Sequence, residues 1–386
     1  MSELVYSLER SRRAYRIAVG CLFFLQGLCF ASWASRIPSI QQSLQLSDAV
    51  LGLVLFALPV GSMLSLPFTG WLVTRFGSKR VAANALLLYS MLLIALGWAH
   101  SSIILILFLV LFGMAGNTAN IAINTQAVGV EAKYGRSIMA SFHGLWSMAG
   151  FTAAGIGTFM MGKEIIPLQH FMMITGLILA GVAASFNFLL EDERRQITEN
   201  RFFVKPDKSL LILGILAFCC MICEGAMFDW SGIYFQKVVR VSENWIGAGY
   251  TAFMCTMATG RFVADYVAGK IGIKKTIQLS GLLIATGLGI AVVLPFLYAA
   301  IIGFLLVGFG VSSVVPLVYS EAGKSGKQSP GMALTAVSSI GFLGFLVGPP
   351  VIGVISGIAG LRISFVLIAV IGLAVALMAS GLKNKS

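Results

Sequence analysis

Residues 210–234 read LLILGILAFCCMICEGAMFDWSGIY, an apolar run broken by two carboxylates, Glu224 and Asp229. A charge at the middle of a bilayer costs at least ~2.5 to 3.5 kcal/mol on insertion scales, so such residues ordinarily face a wet cavity or an opposite charge. On a helix, five residues at 100° each set these acids about 140° apart and ~7.5 Å apart along the axis. They therefore do not form a paired-carboxylate site. With the segment entering near Lys208, Glu224 lies near mid-depth and Asp229 nearer the far interface. Desolvated carboxyls hold a proton more readily, and Glu224 reads either as a protonation site coupled to a proton gradient or as an acceptor for a solute. The structural alternative is a carboxylate satisfied by a neighbouring hydroxyl, indole or basic group. Asp229 reads as a gate contact opposite Arg36, although Arg36 could equally snorkel to the interface.

A second constellation is Asn117, Asn120 and Asn124, whose spacing of three and four puts them on one helix face that continues through Ala127 to Glu131. Amides in hydrocarbon must bond across helices or line water, so the stripe borders a solute cavity or bridges helices. Glu131, beside Lys133 and Arg136, is expected in an ion pair of an inner gate. His143 and Trp146, one turn apart, offer a proton relay or a satisfied structural donor. Trp33 and Trp230 end apolar runs, where indoles anchor helices at the interface or stack on a solute. Arg261 and Asp265, at i and i+4, are expected to pair locally, and Arg75 joins the gating set from the short basic loop RFGSKR. In GFLGFLVGPPVIG, Gly344, Gly348, Pro349 and Pro350 allow close helix approach or a bend.

The elements that carry these residues follow from composition. The chain has 386 residues, 58% hydrophobic and 11% charged, with a mean hydropathy of +0.91, where soluble domains carry roughly 25% charge. Apolar segments of about 20 residues, enough to cross ~30 Å of hydrocarbon as helix, recur twelve times. They lie at 14–37, 49–73, 81–99, 102–130, 137–162, 166–190, 209–238, 245–268, 275–294, 297–322, 328–357 and 360–382. The polar stretch EDERRQITENRFFVKPDK separates an N-terminal half, 1–190, from a C-terminal half, 209–386, as a linker over 191–208. Of 27 Lys and Arg, 22 fall on the side of the N-terminus and five on the other, Arg36, Lys163, Lys237, Arg240 and Arg362. That asymmetry puts the linker and both termini in the cytoplasm. It also spreads the net charge of +12 over many short loops rather than one stripe, which argues against nucleic acid as a partner.

The six cysteines lie within spans and lack metal-ligand spacing, so they read as packing residues, with no metal site expected. No cleavable leader is expected, because the basic start leads straight into a full-length span. Neither a GxxxxGK[ST] loop nor HExxH occurs, so no enzyme activity and no cofactor are expected, and uphill movement of a solute would draw on a gradient.

The halves echo each other. LQLSDAVLG at 44–52 matches VRVSENWIG at 239–247, RFGSKR at 75–80 matches KIGIKK at 270–275, and Gln26-Gly27 answers Glu224-Gly225 after a slip of three. Parallel duplication of six spans is the signature of a transporter whose halves rock about a midplane site. This pattern resembles the major facilitator superfamily. WASRIPSIQQSLQLSDAVLG, NTANIAINTQAVGVEAKYGRSIMASFHGLWSMAG, EGAMFDWSGIY and GRFVADYVAGKIGIKK are more narrowly similar to its YbjJ-type bacterial inner-membrane branch, distantly akin to the fucose permease. The resemblance implies an all-α membrane protein, twelve transmembrane helices in two pseudo-symmetric six-helix halves, monomeric in the bilayer. It implies a secondary active transporter of a small polar solute, a sugar or similar metabolite, by alternating access, with protons as a candidate coupling ion. A multidrug or metabolite exporter of the same fold is the alternative, and a non-transporting receptor a third. GWLVTRFGSK departs from the family's Gly-x-Leu-Ala-Asp-Arg-x-Gly-Arg-Lys loop by placing Thr74 where the acid stands, and Gly269 takes that place in the second half. GLWSMAGFTAAGIG has no Gly-Pro motif of the drug/proton antiporters, which weighs against a drug exporter.

Overall fold

Inside hydrocarbon each backbone N–H and C=O must be satisfied by the segment itself or a closed neighbour, and this chain meets the requirement with helices. The computed structural model describes residues 2–134, 138–191, 207–323 and 330–382. Among them are twelve α-helices: α1 (Ser2–Ser43), α2 (Asp48–Phe76), α3 (Ser78–Trp98), α4 (Ser102–Tyr134), α5 (Met139–Gly162), α6 (Pro167–Phe186), α7 (Lys208–Tyr234), α8 (Ala248–Ile271), α9 (Ile273–Val293), α10 (Leu297–Gly323), α11 (Pro330–Ala359) and α12 (Leu361–Ser380). Ten segments among the described residues are long and apolar enough to cross a membrane. The helix bounds agree with the hydropathy spans to about a turn, except for α1. It starts within the polar N-terminal stretch and runs past Pro38 to Ser43, because hydropathy marks only the part of a helix that needs lipid.

The duplicated loops take one conformation. Gly77, between α2 and α3, has φ +83°, and Gly272, between α8 and α9, has φ +85°. A side chain is strained there. At Gly272 nothing lies within 4 Å of where a Cβ would stand, so the backbone angle, and not lack of room, calls for glycine. Most of the linker, 192–206, lies outside the described residues.

By contacts the chain divides into two compact units. The first comprises Met1–Arg36, Ala57–Met160 and Ile165–Glu199. In it α3 packs on α4 and α6, and Gln126 of α4 holds Ser78 at 2.7 Å and the carbonyl of Leu190 at 2.9 Å. α2 and α4 approach until their backbones nearly touch. A Cβ at Gly61 would collide with the Val110 carbonyl and one at Gly113 with the Leu58 carbonyl, the close crossing that small residues permit in membranes.

The second unit comprises Ile37–Phe56, Met161–Glu164 and Asn200–Ser386. α7 packs on α10, α11 and α12, and α9 on α10 and α12. Residues 37–56, which chain order assigns to the N-terminal half, make their contacts here: Gly232 of α7 seats Pro38, and Gly52 meets Gly353 and the Pro349 carbonyl of α11. The glycines of α11 therefore serve close approach at these points.

These contacts rank the glycines. Forcing a side chain into a closed crossing costs about 1–3 kcal/mol, so Gly113→Leu is expected to lower the unfolding temperature of detergent-purified protein and its monodisperse yield. Gly155→Ala, with nothing within 4 Å, is expected to leave both unchanged. Differential scanning fluorimetry with size-exclusion chromatography checks the pair.

Candidate functional site

Glu224 lies on α7, 7% exposed, and is not alone. Arg261 of α8 donates from Nη2 to Glu224 Oε1 at 3.2 Å. Arg261, expected to pair along its own helix with Asp265, thus reaches across to α7; the side chain of Asp265 lies outside the described residues. The guanidinium keeps 25% of its side-chain surface exposed and the carboxylate 9%, so the pair is sealed on the acid's side and wetter on the base's. Tyr319 of α10 is within electrostatic reach of Glu224. The thiols of Cys220 and Cys223 are turned to the carbonyls of Val311 and Ile368, in keeping with their reading as packing residues.

One turn and a half along α7, Asp229 is half-buried and forms no ion pair within its unit among the described residues. Its charge acts on Tyr250 of α8, whose buried hydroxyl has no hydrogen-bond partner, as is also true of Trp230 Nε1 and Ser231 Oγ. Trp230 is 0% exposed, which overturns its reading as an interface anchor; Trp33, at 1%, packs against Phe112 instead. Phe228 gathers Tyr250, Phe253 and Phe345 at ring-centroid distances of 6.3, 5.7 and 6.4 Å. Tyr250 thus sets a hydroxyl that the protein leaves unused within an aromatic nest.

In the first unit the amide stripe divides. Asn117 Nδ2 donates to the Ser62 carbonyl at 3.0 Å and to Ser65 Oγ at 2.8 Å, tying α4 to α2. Asn124 Nδ2 donates back to the Asn120 carbonyl at 2.8 Å. Gln26 of α1 donates to the Gly116 carbonyl at 3.2 Å, and its buried Oε1 has no partner. Glu131 Oε2 accepts from the backbone N–H groups of Ile138 and Met139 at 2.8 and 2.9 Å, so it caps the start of α5, where a negative charge meets the positive helix end. Arg136 lies outside the described residues. His143 is exposed and stands edge-on to Phe23 at 5.2 Å, while Trp146 lies over Phe30 at 6.1 Å. Arg75 is exposed and sits over the rings of Trp71 and Phe76. Arg36 does not snorkel: it is 2% exposed and donates from Nη2 to the Ile165 carbonyl at 2.5 Å.

Sequence reasoning passed over a cluster in the second unit. Asp48, at the start of α2, pairs with Lys237 and accepts hydrogen bonds from Ser356 Oγ of α11 at 2.5 Å and Gln41 Nε2 at 2.8 Å. Its signal was the Ser-Asp of LQLSDAVLG, repeated as the Ser-Glu of VRVSENWIG. In the sequence Lys237 reads only as one of the basic residues that mark topology.

Residues 19–329 match the model of the Major Facilitator Superfamily. The chain belongs to this superfamily. It is a multi-pass membrane protein of the secondary-transporter class and not an enzyme. An uncharacterized MFS-type transporter of Yersinia pestis is 33% identical over 363 residues, covering 94% of both chains. The membrane protein MosC of Rhizobium meliloti is 33% identical over 362 residues, 93% of this chain and 88% of that one. Among solved structures, a mutant of the nucleoside transporter NupG superposes with a TM-score of 0.80 at 14% identity, over 95% of this chain and 99% of that one. A bacterial homolog of the human lysosomal transporter Spinster, inward-facing and unoccupied, gives 0.76 at 16% identity over 96% of each chain. These two likenesses concern the superfamily fold alone.

The Asp48 cluster permits a graded test of its partners. Asp48→Ala strips three donors of their acceptor and is expected to cost about 1–3 kcal/mol. Lys237→Met is expected to cost less than about 1 kcal/mol, because the lysine side chain is 41% exposed and Asp48 keeps its other two bonds. Thermal unfolding of both variants in detergent measures the difference.

Proposed function

We propose that this superfamily member is a proton-coupled carrier of a small polar solute, a sugar, nucleoside or similar metabolite, working by alternating access in a bacterial inner membrane. The observation that carries the reading is the Glu224–Arg261 pair, a 7%-exposed carboxylate on an apolar helix held at 3.2 Å by a base on the next helix. Protonation of Glu224 removes the charge that Arg261 faces, and the attraction between α7 and α8 falls with it. A carboxylate that must choose between a proton and a guanidinium is a means of linking proton arrival to helix movement. The cytoplasmic placement of both termini and the linker rests on the distribution of basic loops.

The unused hydroxyl of Tyr250 within the aromatic nest, together with the unpartnered Trp230 Nε1 and Ser231 Oγ elsewhere on α7, favours a solute with hydroxyl or amide groups and an apolar or ring face. The fold likeness to NupG, described as a nucleoside transporter, places nucleosides beside sugars in the first screen. For gating we assign Asp48, Lys237 and Ser356 to one closure and Glu131 to the positioning of α5. Arg36, Asp229, Arg75, Arg136, Arg261 and Asp265 stay within the gating set read from the sequence.

Thermal-shift screening of purified protein against sugars, nucleosides and organic acids, followed by proteoliposome uptake with and without an inward proton gradient, tests this. The Glu224→Gln variant is expected to bind the solute within a few-fold of wild type and to lose gradient-driven accumulation by about tenfold or more. Accumulation by that variant with undiminished dependence on the gradient would refute the coupling role.

A further inference from the structure

Arg36 at the outer part of α1 is 2% exposed and His170 in the first turn of α6 is 0% exposed. One guanidinium nitrogen, Nη2, is taken by the Ile165 carbonyl. The remaining two, Nε and Nη1, have no partner, and neither do Nδ1 and Nε2 of His170. The two side chains are neighbours: Ile165 lies one residue before the turn in which the His170 N–H bonds the Ile166 carbonyl, and the charge of Arg36 acts on the imidazole. Gly157 of α5 completes the enclosure. A Cβ there would run into Ser35 Oγ and stand 3.8 Å from His170 Cε1, so α1, α5 and α6 converge on one point of the first unit.

Among the described residues the niche carries a positive charge with no opposite charge beside it. A guanidinium has only donors and stays charged, while a neutral imidazole offers one donor and one acceptor. Ser35 Oγ spends its proton on the Ser32 carbonyl, and none of the ion pairs among the described residues includes Arg36. A buried charge without an opposite charge is strongly unfavourable, and buried N–H groups without acceptors add to that. Water could satisfy single N–H groups but supplies no countercharge. We infer that Arg36 and His170 form a binding niche for a compact anion, a halide or the carboxylate of a small organic acid, enclosed by Ser35 and Gly157. The niche lies in the first unit and does not rest on the coupling role of Glu224.

The test uses the full chain in detergent, with chloride, bromide or formate replacing a bulky sulfonate at constant ionic strength. Wild type is expected to gain thermal stability saturably with the small anions, Arg36→Gln to lose the response, and His170→Gln to need at least about tenfold more anion. Should Arg36→Gln fail to fold, anomalous diffraction from bromide-soaked wild-type crystals reads the niche directly, with a peak within hydrogen-bond distance of both side chains expected. Saturation by chloride and bromide but not formate assigns an inorganic anion, saturation by formate alone an organic carboxylate, and saturation by all three a niche that takes either. Equal stability in all salts, the same response in wild type and His170→Gln, or water in place of a bromide peak would overturn the proposal.

Discussion

A charge carried into hydrocarbon must meet an opposite charge, a set of hydrogen bonds or water, and the polar architecture of this protein follows from that constraint. Glu224 is tolerable on an apolar helix because Arg261 stands 3.2 Å away on α8. Asp48 has a lysine, a hydroxyl and an amide around one carboxylate. Glu131 accepts hydrogen bonds from two backbone N–H groups at the start of α5. In each case the partner comes from a different element, so each acid also fixes a relation between elements. Under the proposed mechanism some of those relations must be reversible, and a carboxylate that can take a proton is the proposed source of the reversal.

Close backbone approach supplies the complementary rigidity. Where Gly61 and Gly113 bring α2 and α4 together, Ser62 donates to the Gly113 carbonyl at 3.2 Å and Asn117 donates to the Ser62 carbonyl. Small residues let the helices meet, and the polar groups then bond across the contact. The second unit repeats the device without amides at Gly287 and Gly303, where the α9 and α10 backbones meet. Stretches joined this way are held by backbone contact as well as by side chains.

Much of the fold is legible in the sequence because hydrophobic length alone decides where a helix crosses lipid. The glycine turns were equally readable, since RFGSKR and KIGIKK place Gly77 and Gly272 at equivalent points and both take positive φ. Pairing is where sequence reasoning fell short. Depth and helical phase can be counted from Lys208 to Glu224, but which base fills the space beside it depends on how α7 and α8 pack, and Arg261 had a nearer sequence neighbour in Asp265. For the same reason the amide stripe of α4 read as one surface, whereas Asn117 bonds to α2 and Asn124 to its own helix. Chain order likewise concealed that residues 37–56 pack with α7 and α11.

The most direct test of the cross-helix pair is a double-mutant cycle for unfolding free energy with Glu224→Met, Arg261→Met and the double variant in detergent. A real pair predicts a coupling energy of about 1–3 kcal/mol. It also predicts a double variant more stable than Arg261→Met, because the single change strands a buried carboxylate and the double removes it. Strictly additive effects, with the double variant the least stable of the four proteins, would contradict the account.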